Sequence, residues 1–153
     1  MRILAGRNMT LVKISITTVF LGIATSLLAA PLITPKEAEL PDVPPALSTR
    51  GISRGPAIKL NSPEANAPVA SPFEFKVSFD ARGESKIDPS SVKVIYMKSP
   101  FVDLTPRLKP AISASGIDFS KAEVPPGNHA IRITVKDTEG RETNAVMNLV
   151  VTK

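Results

Sequence analysis

The chain has 153 residues with no cysteine, no tryptophan and one histidine, which excludes a disulfide framework and thiolate chemistry and leaves zinc without the several Cys or His ligands it usually takes. Its formal charge of +5 comes largely from Arg2, Arg7 and Lys13, which precede every acid; beyond them 16 basic residues face 14 acidic ones, leaving +2. Those bases are scattered and accompanied by one tyrosine, so no nucleic-acid partner is expected.

The basic head leads into the uncharged run ISITTVFLGIATSLLAA at 14–30. A positive head, an apolar stretch and small residues are the layout of an export signal. Residues 1–30 are therefore read as a signal peptide or membrane anchor, and the remainder as periplasmic or secreted. Cleavage near Ala24-Thr25-Ser26 would start the mature chain between Leu27 and Leu32. Without cleavage, residues 14–33 give twenty uncharged positions, and about 20 suffice to span a bilayer. Contact with the inner membrane is expected only through this segment.

Residues 31–56 hold six prolines, interleaved with Glu37, Glu39 and Asp42. Few large apolar residues are available to offset ordering entropy, so 31–55 is predicted to be a disordered, semi-stiff tether reaching about 75 Å at ~3.1 Å per residue.

From residue 56 the pattern changes to period two. Ile58 and Leu60 alternate with Lys59; Phe73, Phe75, Val77 and Phe79 with Glu74, Lys76 and Ser78; Val92, Val94 and Tyr96 with Lys93, Ile95 and Met97. These are strand signatures. Asn61-Ser62-Pro63, Ala81-Arg82-Gly83, Asp88-Pro89 and Ser99-Pro100 read as turns between them. Thr105-Pro106 reads as a cap with a first-turn proline, and Pro110 stops that helix within about a turn.

The last third predicts a hairpin with a defined register. Ile131, Ile133 and Val135 form one apolar row, and Ala145, Met147, Leu149 and Val151 the other. Directly opposed residues of an antiparallel pair share a face, so odd positions must meet odd positions. That gives Asp137–Arg141, Val135–Thr143, Ile133–Ala145 and Ile131–Met147, closed by Thr138-Glu139-Gly140 with Gly140 in the left-handed position.

About seven short strands, no long helical pattern and regularly spaced turns indicate an all-β, antiparallel sandwich over 56–153. The segment VPPGNHAIRITVKDTEGRE, Val124–Glu142, resembles the last hairpin of bacterial immunoglobulin-like and fibronectin-type-III-like domains. It shares their Pro-Gly turn, alternating aliphatics and Asp-x-x-Gly, with His129 where that pattern commonly has tyrosine. The resemblance covers roughly Pro56–Lys153 and implies an Ig-like sandwich; the Cys…Trp…Cys core of antibody domains is absent.

No catalytic residues, metal ligands or cofactor are assigned. His129 is in phase with Ile131 and is read as a packed strand-end side chain rather than a catalytic base. Asp80, Glu84 and Asp88 share one loop region and keep calcium open as an alternative, although their spacing is not that of a dedicated calcium loop. Exposed aromatic platforms for sugar are lacking. What remains is protein binding. Ile95 and Met97 on one strand, and Val146, Asn148 and Val150 on the last, lie opposite the core rows. If they meet on one sheet face they make a stripe for an envelope or extracellular protein, or for a second copy. The expected function is a non-catalytic binding or structural module of the bacterial cell envelope, with a glycan- or calcium-binding accessory domain as the alternative.

Overall fold

A computed structural model describes residues 31–44 and 54–153. The leader and residues 45–53 lie outside the described residues, as does every expectation that falls on them. Among the described residues no helix is long and apolar enough to cross a membrane.

The chain folds as an all-β sandwich. Among the described residues nine strands run in order: β1 (Ala57–Ser62), β2 (Pro68–Ala70), β3 (Phe73–Asp80), β4 (Ile87–Tyr96), β5 (Val102–Asp103), β6 (Ile112–Ser113), β7 (Gly116–Ala122), β8 (Gly127–Asp137) and β9 (Glu142–Thr152). One sheet has the order β1-β3-β7-β6, the other β2-β9-β8-β4-β5. Three of the strands, β2, β5 and β6, are only two or three residues long, which reconciles this count with the expectation of about seven. All pairings are antiparallel except β2 with β9.

Period-two alternation places the core where expected. Phe73, Phe75, Val77 and Phe79 of β3 are buried, as are Val92, Val94 and Tyr96 of β4. From the hairpin come Ile131, Ile133, Val135, Met147, Leu149 and Val151. These rows and Ile117 of β7 form one apolar cluster between the sheets. The hairpin register is the predicted one: Ile131 faces Met147, Ile133 faces Ala145 and Val135 faces Thr143. Gly140 has φ +77°, and the Asp137 N–H bonds to the Arg141 carbonyl at 3.1 Å. In the other sheet β7 rides hard against β3. A Cβ on Gly116 would stand 1.9 Å from the Val77 carbonyl oxygen, at φ +148°, so a side chain there would force the strands apart.

Two local expectations need correction. Asp88-Pro89 is not a turn between strands. Ile87 and Asp88 already pair with Asp137 and Lys136, and the register shifts before Lys93. Pro89 offers no N–H, and the strand passes it as an irregularity rather than ending. Thr105 does not cap the short helix that follows β5. That helix, α2 (Thr105–Leu108), has Leu104 at its cap position with no side-chain cap bond. Asp103 Oδ1 instead accepts from the Thr105 N–H at 2.8 Å, and the Thr105 hydroxyl accepts from Val94 N–H at 2.9 Å. A 3-10 turn over Lys109–Ala111 follows.

The larger correction concerns the predicted tether. Residues 31–44 form a strap packed across one pole of the sandwich. Leu32 and Ile33 are fully buried in the main apolar cluster, and both N–H groups bond to the Glu123 carbonyl. One helical turn follows, α1 (Pro35–Ala38), closed by a capping box between Thr34 and Glu37. Prolines stiffen the unfolded strap, so ordering it costs less entropy than for an ordinary segment. The adjacent pair Leu32-Ile33 then suffices to seat it. The tether expectation gave that pair too little weight. It also follows that an anchor drawn as 14–33 runs too far, because Leu32 and Ile33 belong to the folded unit.

The opposite pole is closed by charge. Asp137 is 3% exposed. Its Oδ1 accepts from the N–H groups of Glu139 and Arg141, and Oδ2 from Arg141 Nε at 2.7 Å. Arg141 Nη2 continues to the Arg82 carbonyl and the Ser85 hydroxyl, tying the hairpin tip to the β3–β4 connection.

Truncating buried aliphatics typically costs about 2–5 kcal/mol, and Ile to Val about 0.5–1.5 kcal/mol. Ile33→Ala in the strap should therefore destabilise the domain by roughly the same amount as Ile133→Ala in β8, both near 2–5 kcal/mol in urea unfolding. An Ile33→Ala protein as stable as the wild type would return the strap to the status of a tether.

Candidate interaction surface

The outward face of the five-stranded sheet is built by the same alternation that builds the core. Across β4, β8 and β9 the pairing puts Ile95 opposite Arg132, and Arg132 opposite Val146. One step along, the Met97 N–H bonds to the Ala130 carbonyl, and Ala130 pairs with Asn148. Val150 pairs with Asn128 on one side and Pro68 of β2 on the other. All five expected residues thus lie on one face. They do not form an unbroken stripe. Strands are spaced about 4.8 Å apart, so Ile95 and Val146 stand roughly 10 Å from each other with β8 between them. Val146 is 57% exposed, whereas Ile95, Met97 and Val150 are half-buried.

Sequence reasoning missed Phe101. This residue precedes β5, is 55% exposed, and has the Arg132 guanidinium over its ring at 5.4 Å. It therefore reaches the same face. No period marks it, because it sits between Pro100 and a two-residue strand; the signal available was an isolated aromatic after a Ser-Pro turn.

The histidine sits beneath the strap pole. His129 is 2% exposed. Its Nε2 lies 2.8 Å from the Pro125 carbonyl, which can only accept, so Nε2 carries the proton. Nδ1 then accepts from the Tyr96 hydroxyl at 2.8 Å. Burial, aided by the Lys98 charge, pushes the imidazole below its ordinary pKa despite the Pro125 carbonyl. Burial likewise pushes the Tyr96 phenol up. Lys98 is itself 6% exposed and meets Asp42 of the strap at 2.6 Å. Burial pulls its pKa down, but Asp42 and Tyr96 outweigh that and hold the ammonium above its usual value.

Beside it Arg107 of α2 grips the strap through a fork. Nη1 donates to Glu37 Oε2 at 2.8 Å and to the Leu32 carbonyl at 2.8 Å, while Nη2 donates to Glu37 Oε1 at 2.6 Å. The Arg107 hydrogen bonds, opposed by burial and joined by those from Thr34, bring the Glu37 carboxyl from 4.5 down to about 2.

The acidic loop is knit into local structure. Asp88 Oδ1 accepts from both the N–H and the hydroxyl of Ser90. Among the described residues no three His, Cys, Asp or Glu side chains converge to hold a metal ion. At the strap pole an open hollow of about 470 Å³ is lined mainly by Pro31, Pro35, Pro72, Pro125, Ile33 and Val124. Its polar complement, Ser71 and Glu123, is sparse beside the convergent polar groups of a small-ligand site.

No family model, curated protein or solved structure matches this chain.

The buried groups fix how stability depends on pH. His129 has a depressed folded pKa, so near and below pH 6.5 the unfolded chain binds a proton that the folded one refuses. Stability should fall as pH drops below about 7 and level off beneath the folded value. Glu37 contributes above pH 4.5, and that contribution is lost between 4.5 and about 2. Its full size is at most on the order of 3 kcal/mol, less where solvent screens the pair. Urea unfolding against pH should show both windows. His129→Gln should flatten the upper one and Glu37→Gln the lower one; an unchanged profile in either variant would remove that residue from the account.

Proposed function

We propose that this protein is an exported, non-catalytic binding or structural module of the bacterial cell envelope, acting through protein–protein contacts. The observation that carries this reading is the outward face of the five-stranded sheet. Phe101 and Val146 are the large apolar side chains more than half exposed among the described residues, and they share that face with Ile95, Met97 and Val150. Aromatic and aliphatic groups with an arginine among them are the composition favoured at interface centres. The sandwich is taken to be of the immunoglobulin-like or fibronectin-type-III-like type, on the Val124–Glu142 hairpin pattern and its register. Export rests on the basic head and the apolar run that follows it.

A sheet face with exposed apolar side chains favours a protein partner over a small ligand, which would need a concave site with convergent polar groups. The alternative of a glycan- or calcium-binding accessory domain has no comparable surface in its support.

Crosslinking and affinity capture from native envelopes tests the reading, with the mass of the mature N-terminus measured in the same sample. Val146→Lys lies on the exposed strand face and should change stability by less than about 1 kcal/mol. It should nevertheless lose the partner that the wild type captures. Normal capture by a folded Val146→Lys protein would reject this face, and an intact leader on a cytoplasmic protein would reject export.

A further inference from the structure

The strap behaves as a ligand that happens to be covalently attached. Its turn is encoded within itself: Thr34 N–H donates to Glu37 Oε2, and Glu37 N–H donates to the Thr34 hydroxyl. Its contacts with the sandwich are those of a peptide in a built socket. The Glu123 carbonyl takes the N–H groups of Leu32 and Ile33, and the Arg107 fork takes the Leu32 carbonyl and the Glu37 carboxylate. Ser99 N–H donates to the Pro41 carbonyl at 2.8 Å, and Lys98 pairs with Asp42. The socket thus reads two adjacent aliphatics, an acid five positions after the first, and a second acid five positions later. Its two cations pair with two of the strap's three carboxylates, Glu37 and Asp42, and Lys98 is almost wholly buried in the act.

We propose that this socket also takes the strap of a second copy, so that two chains exchange residues 31–44 and form a two-fold dimer. Residues 45–56 join the strap to β1. Every contact of the exchanged form is one already made in the monomer, so no new complementary surface has to exist. Dimer and monomer differ chiefly in association entropy and in the path of the joining segment, and concentration sets their ratio. This interface is separate from the outward sheet face and does not depend on it.

The absence of cysteine makes a clean test available. Asp42 and Lys98 form an antiparallel bridge, and such pairs have Cα atoms about 4.5–5.5 Å apart, within disulfide range. Full chains carrying Asp42→Cys and Lys98→Cys are mixed under mild oxidation and followed by mass. Exchange predicts a disulfide-linked heterodimer at least tenfold above the yield from Asp42→Cys mixed with Val146→Cys, rising with protein concentration. A single chain bearing both substitutions should close the bond within itself when dilute. Closure in that chain with no heterodimer above the control would overturn exchange, and failure to close would overturn the socket itself. If Lys98→Cys fails to fold, Glu37→Arg is mixed with Arg107→Glu. Both ion pairs are then matched only in the exchanged heterodimer, so a 1:1 dimer in native mass spectra supports the proposal and a mixture without one overturns it.

Discussion

With no cysteine in the chain, the two sheets are held together by apolar burial, and every opening through which water could reach the core must be closed by the chain itself. The faces of a sandwich close one another. Its poles do not, because strands end there and leave both backbone groups and the last core side chains at the edge. Much of what distinguishes this domain is how each pole is sealed. At one, Leu32 and Ile33 complete the apolar cluster from outside the sheets. At the other, Asp137 gathers the amides of the hairpin turn and lets Arg141 reach across to Arg82 and Ser85.

Both seals use charge in places where charge is costly. Desolvating an ion takes several kcal/mol, offset only when geometry and hydrogen bonding are good. The Arg107–Glu37 fork and the Asp137–Arg141 contacts meet that condition, each carboxylate being satisfied by more than one donor. Lys98 is the more exacting case. It lies over the Tyr96 ring at 5.6 Å, and Tyr96 in turn bonds to His129. Strap, β4 and β8 are joined through this series of polar groups, none of which is left buried without a partner. Such groups add little net stability over apolar ones, but they penalise any other seating of the strap.

The two sheets and the hairpin register were legible in the sequence because a period of two leaves little freedom. Ile133 cannot oppose Asn144 without turning one strand inside out, so the loop length and Gly140 followed. The five surface positions were legible for the same reason, as the complement of the core rows. Phe101 was not, since no periodic neighbour fixes its direction. The strap was hidden by composition. Six prolines and three acids dilute the apolar content of that stretch, and averaging over it conceals two consecutive residues that do most of the packing. The sheet pairing that flanks Pro89 was hidden likewise, because a proline that interrupts a strand looks in sequence like one that ends it.

The strap's seating also fixes how the molecule is presented. β8 begins and β9 ends near the pole where Leu32 and Ile33 meet Glu123, so chain arriving at Pro31 reaches the domain there, with the strands running away from the point of entry. A loose leash of twenty-five residues would have let the sandwich tumble and offer any side to its surroundings. Locked at residue 32, it has a foot and a flank. The strap's seat closes the strand-end pole, whereas Phe101 and Val146 lie on the sheet face, along the strands rather than at that pole.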